Sequence, residues 1–220
     1  MARHVHHVAG PRQRAAQPIG RRLGAPRAIR CFDRVDVIVQ GARMVRVAGQ
    51  YALERRNDRR TLRVGLGAAT AEANAIATLT RTGNFDALKE AGIPALDVLA
   101  LAQNVVEARV AQAKGDSKTA IAKFAAAATL QDQLRYTEPP YWYYPVRQSL
   151  AAALLQAGRL DEALDQFRQA LARAPNNGWT YYGLAQLHKA RGDSQATHDA
   201  EAQLANTWIG DKTLLDISRL

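Results

Sequence analysis

A single cysteine, Cys31, stands in the 220 residues, so the chain has no internal disulfide framework and no cysteine-rich metal site. No apolar run approaches the roughly 20 residues that cross a bilayer. The opening stretch, MARHVHHVAGPRQRAAQP, has none of the apolar core of a secretory leader. A soluble, cytoplasmic protein is the expectation. Lysine is missing from residues 1–63, which carry 15 arginines against four acids, Asp33, Asp36, Glu54 and Asp58. The whole-chain net charge of +10 and pI near 10.2 therefore come from this first segment. Residues 64–220 are close to neutral, so the basic pI says little about their partner.

Catalytic patterns are also missing. No nucleophile, base and orienting residue fall in a recognisable arrangement, and GLGAAT (65–70) lacks the lysine of a phosphate loop. Asp161 and Glu162 read as an acidic first turn that favours a helix N-terminus. His4, His6 and His7 form a short tract with no ordered framework around it, and His188 reads as a tolerated core histidine. The expectation is a non-enzyme, with no catalytic, cofactor-binding or metal-binding residue and no small-molecule substrate.

Two unlike parts follow from composition. Residues 1–30 are broken by Pro11, Pro18, Pro26, Gly10, Gly20 and Gly24 and read as irregular or disordered. Val35, Val37 and Val39 alternate along 31–49 and hint at a strand pair, which is marginal alone. Three readings stand for residues 1–63: a basic tail for nucleic acid or an acidic membrane, a transit peptide, or a segment that is not an evolved domain. The last, from a misassigned start or shifted frame, is favoured over the first. Residues 64–220 read as a separate helical domain, rich in Ala, Leu, Glu and Gln.

In that domain three segments stack on one glycine: AQAKGDSKTAIAKFAAAATLQ (111–131), LLQAGRLDEALDQFRQALARAP (154–175) and HKARGDSQATHDAEAQLANTW (188–208). Gly115, Gly158 and Gly192 align, with nine residues inserted in the first interval. With Tyr144 as position 1, small residues fall at Ala151 and Ala163, a glycine at 158, a bulky Phe167, and a closing Pro175. Small residues let paired helices approach, the glycine supplies a left-handed cap, and the proline stops the second helix. Leu160, Ala163, Leu164, Phe167 and Leu171 give one buried stripe.

This pattern resembles the tetratricopeptide repeat family of bacterial type, most clearly over residues 101–210. The resemblance implies an all-α fold, an α-α superhelix of helical hairpins, with repeats near 101–131, 144–177 and 178–211. A degenerate hairpin at 64–92, with 71–81 as its second helix, precedes them. Thr197 and Glu201 replace apolar residues in the last repeat, as suits a terminal unit, and IGDKTLLDISRL looks like a short capping helix. The resemblance further implies a scaffold that holds a protein or peptide on its concave, first-helix face. Arg109, Gln112, Gln148, Ala152, Gln156, Tyr182, Gln186 and Lys189 would line it. Two alternatives are an accessory C-terminal module of a longer protein and a nucleic-acid binder acting through the arginine-rich segment; nucleic acid is the less favoured partner.

PPYWYYP (139–145) occupies the insertion. It reads first as an aromatic plug at an irregular joint and second as a binding platform, with Trp142 added to the partner-facing residues.

Overall fold

The computed structural model describes residues 59–220, with side chains from Gly65 onward. The expectations for Cys31, the His4–His7 tract, the 31–49 strands and the arginine-rich tail lie outside the described residues.

Among the described residues eight α-helices run in order: α1 (Arg59–Thr82), α2 (Asp86–Glu90), α3 (Ala95–Lys114), α4 (Ser117–Gln133), α5 (Val146–Gln156), α6 (Leu160–Arg173), α7 (Gly178–Arg191) and α8 (Ser194–Thr207). Two 3₁₀ turns, Lys212–Leu214 and Ile217–Arg219, end the chain, and no strand occurs among the described residues. The fold is all-α, as expected. Helices pair as α3 with α4, α5 with α6 and α7 with α8, and each pair packs on the next. α1 is one continuous helix through Gly65 and Gly67, and it packs on α3 through Ala73 and Ile76.

The hairpins share one turn. Gly115, Gly158 and Gly192 have φ of 79°, 76° and 75°, in the left-handed region where a Cβ is disfavoured. The next residue's N–H then reaches back to a carbonyl of the closing turn: Asp116 to Ala111 (2.9 Å), Arg159 to Leu154 (2.9 Å) and Asp193 to His188 (3.0 Å). These bonds satisfy carbonyls that a helix end leaves free. Asp116 and Asp193 also cap the second helices, accepting from the N–H of Thr119 and Ala196 at 3.0 Å each.

The second helices bury a repeating trio. Ala120, Phe124 and Ala127 of α4 and Ala163, Phe167 and Ala170 of α6 are all fully buried. Leu160, Leu164 and Leu171 of the expected stripe are half-buried at its margin. In α8 the buried pair is Ala200 and Leu204, while Glu201 is exposed and Thr197 half-buried, so the last helix keeps a solvated outer face. Charged side chains tie the pairs together outside the core. Asp132 at the end of α4 meets Arg147 of α5 and, at 2.7 Å, Arg173 of α6.

PPYWYYP is a packed joint. Trp142 is buried, Tyr144 is half-buried and Tyr143 is exposed, with the Trp142 ring centroid 5.9 Å from that of Tyr144 and 5.5 Å from that of Tyr143. Gln131, buried at the end of α4, accepts from Val146 N–H and donates to the Tyr144 carbonyl, both at 2.8 Å. One side chain thus occupies two backbone groups where α5 begins, a site that Pro145 leaves without a capping side chain.

The C-terminal stretch forms 3₁₀ turns where a capping helix was expected. Asp211 accepts from Thr213 N–H at 2.9 Å, and Asp216 from Ser218 N–H at 2.8 Å. An aspartate that bonds the backbone two residues ahead favours a tight turn over a helix.

Candidate partner-binding face

The first helices α3, α5 and α7 carry one face of the stack, and the chain's own C-terminal segment lies on it. The reversal after α8 starts at Trp208, whose ring meets Trp179 of α7 edge-on, with centroids 5.0 Å apart. Gly178 makes room, since a Cβ there would stand 3.0 Å from Trp208 Cε3. Residues 209–214 are exposed, and the second 3₁₀ turn then settles on α5 and α7.

Leu220 is the anchor. Its side chain is 1% exposed and joins the core cluster, a burial that contributes about 1.5–3 kcal/mol. Its main-chain oxygen accepts from the Arg109 guanidinium of α3 and from the Ser149 hydroxyl of α5. Arg109 Nη2 also reaches Ser149 Oγ at 3.1 Å, and Nη1 reaches Gln112 Oε1 at 3.1 Å. The guanidinium sits 5.1 Å from the Phe124 ring centroid, a cation over a π-face that a lysine would fill less well. Across the face, Tyr182 of α7 is raised above the ordinary tyrosine range by burial and by the nearby Asp216 carboxylate. A hydrogen bond from the Ile217 backbone offsets part of that rise.

Of the residues expected on the partner face, Arg109, Gln112 and Tyr182 gather around the tail. Gln186 is half-buried, and Gln156 and Lys189 are exposed at the ends of their helices. Gln148, Ala152 and Trp142 lie inside the packing, with Gln148 Oε1 accepting from Asn177 at 2.7 Å. Two contributors escaped sequence reasoning. Ser149 and Gly183 hold the same repeat position, sixth from Tyr144 and from Gly178, and both are buried beside Leu220. Their small size at matching positions was the available signal, as was the doubled Asp-x-Thr/Ser of the tail.

Residues 145–187 match the family described as tetratricopeptide repeat. Those residues carry a tetratricopeptide repeat. No curated protein and no solved structure matches the chain. The matched segment takes in α5, α6 and most of α7, and the flanking helix pairs repeat its glycine cap. At the general level, the repeat supports a protein-interaction scaffold. Among the described residues no helix is long and apolar enough to cross a membrane, and no group of three or more His, Cys, Asp or Glu is placed to hold a metal ion.

Proposed function

We propose that the protein is a non-enzymatic scaffold that holds a protein partner by an extended segment laid across α3, α5 and α7. One observation carries this reading. Arg109, Ser149 and Tyr182, from three successive first helices, all meet backbone groups of a single polypeptide segment. Bonds to backbone grip a peptide whatever its side chains, while the space taken by Leu220 selects one apolar residue.

Affinity capture with the full chain, followed by repetition with a variant of the face, tests the proposal. Arg109→Ala should lose the captured protein, and Arg168→Ala, on the exposed side of α6, should retain it. Equal capture by both variants would place the partner elsewhere.

A further inference from the structure

The tail on the first-helix face is fastened unevenly. Residues 209–214 are exposed, with Ile209 fully so and Leu214 at 46%. Only Leu215, Ile217, Ser218, Arg219 and Leu220 are sheltered, and Leu220 alone is buried. The two turns are braced by internal Asp216–Ser218 and Asp211–Thr213 bonds, so little beyond the Leu220 end ties them to the helices. Such a segment opens at far less cost than the helix pairs beneath it.

We propose that residues 211–220 are an intramolecular occupant of the partner seat, displaced by a partner segment of the same chemistry. That segment presents a leucine-class side chain to the space beside Gly183 and a main-chain oxygen to Arg109 and Ser149. The inference rests on the partner-holding face proposed above and adds its occupant and its regulation. Joined to α8 by a few residues, the tail competes at an effective concentration on the order of millimolar. An outside segment meets a seat open only part of the time, and its apparent affinity falls by that open fraction. Partner binding is thereby gated, and whatever removes the tail's own side chains from the seat, leaving Arg109 and Ser149 in place, strengthens it.

The test uses the full 220-residue chain and a fluorescent peptide of residues 211–220, followed by anisotropy. Wild type should bind the peptide weakly. Ile217→Ser with Leu220→Ser should bind it at least about tenfold more tightly, because the seat is no longer filled from within. Adding Arg109→Ala to that variant should cost about tenfold again, the size expected for a lost hydrogen bond from a charged group. If the double variant loses its cooperative melting, Leu220→Ala alone replaces it, since it keeps both turns. Equal affinity for wild type and a folded variant would overturn the proposal, as would no binding to a folded variant. A wild-type dimer dissociated by Leu220→Ala would also overturn it, because the occupant would then be a second copy's tail. No cellular partner enters this assay, so failed capture in the earlier experiment and failed peptide binding here are separate results.

Discussion

Gly183 of α7 lies against Phe167 of α6 so closely that a Cβ built on it would stand 2.3 Å from Phe167 Cζ. The same Cβ would be 3.1 Å from Leu220 Cδ2. Alanine in place of a mid-helix glycine ordinarily stabilises by about 1 kcal/mol. Here the aromatic ring is fully buried and has nowhere to retreat. Gly183→Ala should therefore destabilise the protein by about 1–3 kcal/mol through overpacking, read as a lower urea midpoint. The tail should loosen as well. A raised midpoint would mean that Phe167 can move aside.

Gly158 poses the opposite problem. A Cβ there meets nothing within 4 Å, but φ is +76°. The cost of Gly158→Ala is thus purely conformational, about 1–2 kcal/mol for a left-handed residue with a Cβ. Gly158→Asn should recover part of it, because asparagine tolerates that region through its local hydrogen bonding. Thermal unfolding of the two variants distinguishes this from a packing effect, which would make the larger asparagine worse.

The insertion before α5 hinges on Gln131. Replacing it by methionine keeps the bulk but frees Val146 N–H and the Tyr144 carbonyl together. Each buried group left without a partner costs about 1–3 kcal/mol. Gln131→Met should lower stability by at least the smaller figure, and hydrogen exchange should localise the change at Val146. Full protection of that amide in the variant would refute the assignment.

Periodicity made the repeats legible because the glycine cap, the small residues and the bulky phenylalanine each answer a local steric demand. Gly115, Gly158 and Gly192 share one backbone geometry for that reason. The face was legible only in part. Arg109, Gln112 and Tyr182 follow from first-helix register, yet Gln148 is buried, since register fixes direction but not what packs on top, and Trp142 is buried in the joint before α5. The tail escaped for a related reason. Leu214, Leu215 and Ile217 suggest an amphipathic helix, and the deciding force is the pair of aspartates that bond the backbone ahead. Nothing local in the sequence announces that Leu220 returns to Arg109, 111 residues away.

Acid should weaken the first hairpin through Glu107. Burial alone pushes its carboxyl upward, but hydrogen bonds from Lys123 and Gln103, with the Lys123 charge, outweigh it and hold the group below the usual 4.5. Lys123 Nζ lies 2.5 Å from Glu107 Oε2, so α3 and α4 are joined by the pair. A carboxyl depressed in the folded state stabilises fully above its unfolded value, and the contribution disappears as pH falls through the folded one. The side chains are 40% and 30% exposed, so screening keeps the effect below about 1 kcal/mol. Wild type should exceed Glu107→Gln in stability at pH 6, and the gap should narrow as the pH falls below the usual carboxylate range towards pH 3. About 1 M salt should narrow the gap at pH 6 by screening the exposed pair. A gap unchanged between pH 6 and pH 3 would show that the glutamate acts by shape and not by charge.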